Sequence, residues 1–207
     1  NLIKISPKKI ANLRIKGLAT NSKKVKKGFI FFAIKGSKFN GENYIKEAIR
    51  NGATLIVCSK KSKFKSNKVE FIKTNKISEC LSEITSKFYK EKPKNIIAVT
   101  GTNGKSSVAD FYYQILRGNK TPVASIGTLG INFRKRIKSL DLTTPDIITI
   151  HQNLEIIKKN KIDHVIIEAS SHGLSQKRLE NLKLKAGIFT NLSQDHLDYH
   201  KTMKNYL

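Results

Sequence analysis

The sequence predicts an α/β protein in two parts, a small N-terminal α/β domain followed by a domain with a mostly parallel sheet. Three observations lead there. Short apolar runs alternate with stretches of helical periodicity, the order that strands and crossover helices take in parallel sheets. The later runs, NIIAVT at 95–100 and HVIIE at 164–168, are apolar without alternation, as strands buried on both faces require. The first of these passes directly into a glycine-containing loop, GTNGKSS at 101–107, ahead of a helical segment.

The elements follow in order. Asn1 to Pro7 has no long apolar core and does not read as a secretory signal. The chain lacks a starting Met, so further residues are expected before it. Phe29 to Ile34 is a buried strand after the turn signal Lys27-Gly28. Tyr44 to Arg50 reads as a short helix stopped by Asn51-Gly52, and Thr54 to Cys58 as the next strand. The polar run KKSKFKSNK at 60–68 is a solvated loop. Ile77, Leu81, Ile84 and Phe88 recur at helical spacing, giving an amphipathic helix over about 77–90. Pro93 closes it within the linker Glu91-Lys92-Pro93-Lys94. This sets a first domain at 1–92 and a second at 93–207.

In the second part, Asn95 to Thr100 is a strand, Gly101 to Lys105 a loop, and Ser106 to about Leu116 a helix. Val123 to Ile126 is another strand, and Ile147 to Lys159 a helix with apolar positions 147, 150, 154 and 157. His164 to Glu168 and Ala186 to Thr190 are further buried strands. Met203 to Leu207 has the look of a helix beginning, so more chain is expected beyond it.

Composition removes several classes of function. No stretch reaches about 18 apolar residues, so no transmembrane helix is expected. Cys58 and Cys80 stand in unrelated patterns, which argues against a disulfide framework or a zinc site and for a reducing, cytoplasmic location. The formal charge of +25 raises nucleic-acid binding. Of the 40 basic residues, however, 34 are Lys and 6 are Arg, spread from Lys4 to Lys204. Arg is the side chain suited to bidentate phosphate and base contacts. Lys, Ile and Asn together have the composition of an AT-rich coding sequence, and that drift accounts for the charge without a partner.

Chemistry concentrates in four strings. In GTNGKSS, Gly101 and Gly104 allow backbone to approach an anion, and the helix that follows points free N–H groups at it. Lys105 would reach the β/γ-phosphates and the Ser106 hydroxyl would bind Mg²⁺. Val99 stands where a complete Walker A has Gly; an ordinary βα turn is the plainer alternative. Glu168 closes a buried strand, where carboxylates point into the ligand crevice, and there it could hold Mg²⁺ opposite Ser106. The run ASSHGLSQKR at 169–178 is dense in hydrogen-bonding groups and suits a polar substrate. TNLSQDHLDYH at 190–200 brings two acids and two His together for a metal or phosphate role, or a solvated helix face. No HExxH pattern supports a protease. Thr143-Thr144-Pro145-Asp146 is a polar turn in which one threonine reads as a helix N-cap.

Taken together, GTNGKSS, TTP, EASSHGLSQKR and TNLSQDHLDYH resemble the Mur ligase family of peptidoglycan synthesis. Within it the chain is most similar to members that add a diamino acid to UDP-MurNAc-L-Ala-D-Glu. Val25 to Phe31 and Ala33 to Gly36 resemble the family's UDP-binding first domain. The resemblance implies a P-loop-like ATPase fold for the second part and a cytoplasmic monomer that neither binds nucleic acid nor inserts in membranes. It makes Gly101, Thr102, Asn103, Gly104, Lys105, Ser106 and Ser107 the ATP loop. Ser106 and Glu168 would bind one Mg²⁺, and Glu168 with His196 would help hold a second. Ser22, Ser37, Lys38 and Phe39 would contact the uridine diphosphate, while Thr143, Thr144, Ser170, Gln176 and Arg178 would bind the muramoyl peptide. Two departures stand out: Asn21-Ser22-Lys23 where the family has Asp-Ser-Arg, and Asn40-Gly41 where it has Asp-Gly.

The implied reaction is ATP-driven amide formation. The γ-phosphoryl group passes to the D-Glu side-chain carboxylate, and the amine of meso-diaminopimelate or L-lysine displaces phosphate from the acyl phosphate. The catalytic residues would be Lys105, Glu168 and His196. The family's carbamylated lysine is expected beyond Leu207, as is a third, amino-acid-binding domain, so 207 residues alone are expected to be inactive. Another Mur ligase, a folylpolyglutamate synthase-like ligase, or a basic nucleic-acid-binding module are the alternatives at this point.

Overall fold

The chain divides into two units, residues 1–85 and 86–207. The computed structural model describes residues 13–36, 39–133, 136–138 (backbone only) and 142–207.

In the first unit, four strands form a parallel sheet in sequential order: β1 (Gly17–Ala19), β2 (Phe29–Phe32), β3 (Ala53–Cys58) and β4 (Glu70–Lys73). β1 lies tight on β2, since a Cβ on Gly17 would meet the Phe29 ring at 2.4 Å. A 3₁₀ turn at Ser22–Lys24 joins these strands, and a second at Gly41–Tyr44 leads into helix α1 (Ile45–Arg50). Gly52, at φ +99°, then turns the chain into β3, as the Asn51-Gly52 signal predicts. Phe31, Ala33, Ile45, Ala48, Ile56 and Cys58 pack as one core. Helix α2 (Ile77–Phe88) follows β4, and the division between the units falls within it. β1 and β4 have no counterpart among the expected elements. β1 is three residues long and β4 is only half apolar, so neither has a run long enough to read.

The second unit holds a six-stranded sheet of order β10-β5-β9-β6-β7-β8. Its strands are β5 (Asn95–Thr100), β6 (Val123–Gly127), β7 (Gly130–Phe133), β8 (Arg136–Lys138), β9 (His164–Glu168) and β10 (Ala186–Phe189). β10, β5, β9 and β6 are parallel, whereas β7 and β8 add an antiparallel edge. The buried strands show why their sequence lacks alternation. Ile96, Ala98, Val165 and Ile167 face one core with Ile150, Leu154 and Ile157 of helix α4 (Ile147–Lys159). Ile97, Val99 and Ile166 face the other, with Val108, Ala109 and Tyr112 of α3 (Lys105–Gly118). Successive residues serve opposite faces, and both are apolar.

The α4 N-cap corrects the reading of the TTP turn. Asp146 is the cap, its Oδ1 accepting from Thr149 N at 3.1 Å. The helix starts at Ile147, which leaves both threonines too early to cap it and frees them for other partners. Among the described residues no helix is long and apolar enough to cross a membrane.

Candidate active site

The register decides which side chains meet. Val99 pairs with Glu168, Ile126 with Ile167, and Phe189 with Thr100. The loops leaving β5, β6, β9 and β10 therefore gather at one edge of the sheet, where open α/β folds place ligands.

At that edge the GTNGKSS loop is held by the segment after β10. Thr190 Oγ1 donates to Asn103 O at 2.6 Å, and Asn191 Nδ2 to the same carbonyl at 3.2 Å. Asn103 N donates to Asn191 Oδ1 at 3.0 Å, and Thr102 N to Asn191 O at 3.0 Å. Thr102 Oγ1 also shares a 3.0 Å hydrogen bond with the Tyr206 hydroxyl. A side chain at Gly101 is ruled out twice, by φ +134° and by Thr190 Oγ1 lying 2.1 Å from where a Cβ would stand. Gly104, at φ +82°, precedes α3 and offers its first turn no side-chain cap, so those N–H groups remain available to an anion. Lys105 Nζ donates to Gly101 O at 2.6 Å and Thr102 O at 2.9 Å. Ser107 lies exposed in the same first turn.

Glu168, only 2% exposed, faces this loop. Ser106 Oγ donates to its Oε2 at 2.7 Å. Thr128, just after β6, donates its N–H to Oε1 and its hydroxyl to Oε2, each at 3.0 Å. The Ser106 hydroxyl and the Glu168 carboxylate converge there, hard oxygen donors of the kind that suit Mg²⁺. The arrangement thus fits the implied ion, and the loop's two glycines fit the implied phosphates.

Thr143 and Thr144 reach the same region. Thr143 Oγ1 lies 3.1 Å from Thr128 Oγ1. Thr144 is buried, donating to Glu168 O at 2.8 Å and accepting from Ser170 N at 2.8 Å. Ser170 caps helix α5 (Ser171–Ser175) through Gly173 N. Arg178 donates to Thr144 O and, through Nη2, to Gln176 Oε1 at 2.6 Å. Burial lowers the Arg178 pKa, opposed by the nearby Asp146 carboxylate and Tyr199. Gln176 Nε2 donates to the Tyr199 hydroxyl at 3.3 Å.

His196 has a different neighbourhood. It precedes helix α6 (Leu197–His200) in the left-handed conformation, φ 52°. Its ring lies 4.9 Å from that of His172 and 6.3 Å from that of Tyr206 in helix α7 (Met203–Tyr206). His172 also packs on Tyr199 at 4.2 Å and His200 at 5.6 Å. Burial lowers the His172 pKa, and repulsion from His196 and His200 adds to it. Among the described residues no three of His, Cys, Asp and Glu are disposed to share a metal ion. The two acids and two His of the 195–200 run thus form no such group with one another: Asp195 and His196 precede α6, and Asp198 and His200 lie within it.

In the first unit, Ser22 is buried and its hydroxyl donates to Glu47 Oε2 at 2.6 Å. Phe39 is 69% exposed. Ser37 and Lys38 lie outside the described residues. The sequence reading missed Thr128, Gly127, Thr190 and Asn191. The TNL string contains the last two, but only strand adjacency reveals their contacts.

Comparison with known proteins places this architecture. The Mur ligase middle domain model matches residues 99–207, and the Mur ligase family catalytic domain model matches residues 14–89. A UDP-N-acetylmuramoyl-L-alanyl-D-glutamate--2,6-diaminopimelate ligase of Rickettsia conorii is 43% identical over 199 residues, covering 93% of this chain and 41% of the relative. The protein of that name in Zymomonas mobilis is 43% identical, covering 98% of this chain and 41% of its own. The chain therefore spans about two fifths of the length of these relatives. A solved structure of a ligase with this name superposes with a TM-score of 0.77 at 29% identity, over 93% of this chain and 39% of that one. MurF ligase from Thermotoga maritima, solved with ADP, shares the fold at a TM-score of 0.62 and 21% identity, over 94% of this chain and 42% of its own.

Proposed function

Since the chain belongs to the Mur ligase family, we propose that it is part of an ATP-dependent ligase of the MurE type, which joins a diamino acid to UDP-MurNAc-L-Ala-D-Glu. The observation that carries this reading is the Ser106–Glu168 pair set against a glycine-turned loop at a helix N-terminus. The curated relatives are named for 2,6-diaminopimelate, and that is the amine we assign.

ATP enters as a substrate. Its phosphates would lie along Gly101 to Ser107, bound by backbone N–H groups of the loop and of the first turn of α3. Lys105, which now spends its charge on two loop carbonyls, would turn to the β/γ-phosphates. Ser106 and Glu168 would hold one Mg²⁺, and Glu168 with His196 a second. These ions offset the negative charge that gathers as a triphosphate meets a carboxylate. Thr143, Thr144, Ser170, Gln176 and Arg178 would orient the D-Glu side chain for phosphoryl transfer. The diamino acid's amine then attacks the acyl phosphate carbon and phosphate leaves. In the first unit, Phe39 is free to meet the uridine, with Ser37 and Lys38 assigned to the diphosphate. Ser22 already donates its proton to Glu47, which would hold its oxygen in place to accept from the uridine diphosphate moiety.

Calorimetry with MgATP and with UDP-MurNAc-L-Ala-D-Glu tests the reading. Saturable binding of both is expected, with ATP binding lost in Lys105→Ala. A protein that binds neither at millimolar concentration, yet binds DNA with a steep salt dependence, would sink it.

A further inference from the structure

Both oxygens of Glu168 are held by Thr128, a residue outside every motif string. Its backbone N–H reaches Oε1 and its hydroxyl reaches Oε2, both at 3.0 Å. Gly127 makes this approach possible, because a Cβ there would lie 2.0 Å from Oε1. The Thr128 hydroxyl is itself placed by a 3.1 Å hydrogen bond with Thr143 Oγ1, and Ser106 Oγ lies 3.5 Å away. A carboxylate gripped at both oxygens cannot rotate out of line with Ser106. Two oxygen ligands from segments 62 residues apart are thereby set before any ion arrives. Such outer partners tune metal affinity without touching the ion.

We propose that Thr128 is a positioning residue for the divalent cation, holding the Glu168 carboxylate in its ligating orientation and tying it to Thr143. The proposal rests on the reading of Ser106 and Glu168 as cation ligands. It names a role for the turn between β6 and β7.

The test uses the 207-residue chain, a fluorescent ATP analogue and MnCl₂. Nucleotide affinity is measured in EDTA and then across a Mn²⁺ titration. Thr128→Val keeps the N–H and the shape but removes the hydroxyl. It should raise the Mn²⁺ concentration for half-maximal nucleotide binding about tenfold, with affinity in EDTA unchanged. Thr128→Ser should restore the wild-type midpoint. Thr128→Ala, free of β-branching, should behave as the valine variant does. If Ser106→Ala abolishes the Mn²⁺ response while Thr128→Val retains the wild-type midpoint, the positioning role falls and the cation site stands. A wild-type protein with no Mn²⁺ response overturns both. Equal weakening of Thr128→Val in EDTA and in Mn²⁺ shows a merely structural threonine and also overturns the proposal.

Discussion

Both sheets bring the carboxyl ends of parallel strands to one edge, but the loops there are held by different means. In the first unit many are shaped by their own sequence. Asn21 accepts from Lys23 N, Asn40 from Glu42 N, and Ser59 from Lys61 N. Such turns shape a loop locally, and a few longer ties, Ser22 to Glu47, Asn51 to Ser22 and Ser59 to Glu42, join it to its neighbours. In the second unit the ties are long in sequence: Asn103 to Asn191, Ser106 to Glu168, and Thr144 to Ser170. Cross-strand bonds of this kind set groups relative to one another, which phosphoryl transfer demands. A locally folded loop can instead adapt to a ligand that needs holding but no chemistry.

Four experiments test that contrast. The largest effect is expected from Lys105→Ala. It should weaken MgATP binding at least about a hundredfold, on the order of 3 kcal/mol, by calorimetry, while UDP-sugar binding is unchanged. Parallel loss of both ligands would show that the two units do not divide the work.

Acid comes next. All five histidines lie in the second unit, and His151 there is fully buried with Nδ1 unpartnered. Burial first, and then the charge of Lys92, lower its pKa to about 4. An unfolded chain binds that proton near pH 6.5, so the stabilisation is whole above about 6.5 and is lost as pH falls toward about 4. Hydrogen exchange should show the second unit losing up to about 3 kcal/mol over that window. The first unit should hold steady, and His151→Gln should flatten the response. Equal acid loss in both units would refute the assignment to His151.

Gly127→Ala puts a methyl group on the Glu168 carboxylate and should cost about 2 kcal/mol of stability, read by urea denaturation, along with the Mn²⁺ response. A variant with unchanged midpoint would mean that the strand end yields more than its hydrogen bonds suggest. The smallest effect belongs to the first unit. Ser22→Ala removes one bond to Glu47 and should cost about 1 kcal/mol by thermal melting, with MgATP affinity unaltered.

How much could be read in advance depended on the range of the interaction involved. β5, β9 and α4 fall where their apolar runs and helical spacing place them, because burial on a sheet face is written into consecutive residues. β7 and β8 were not read, since antiparallel strands of four and three residues, broken by Asn132 and by the basic Arg136 and Lys138, leave no continuous apolar run. Glycine at 101 and 104 signals its loop directly. Gly127 does not, since its need for glycine comes from Glu168, 41 positions later.

The α/β class, the order of the main elements, the phosphate loop and the family resemblance are all carried by residues close together in the chain, and so are legible without a structure. Tertiary structure alone decided that β9 lies between β5 and β6. That insertion sets Glu168 against Ser106 and Thr128, and it leaves β5 free to pair with β10, whose Thr190 and Asn191 then hold the loop. Adjacency of strands is a property of the closed hydrogen-bond ladder and of two shared cores. No local pattern encodes it, and so the partners of the site became visible only once the sheet was assembled.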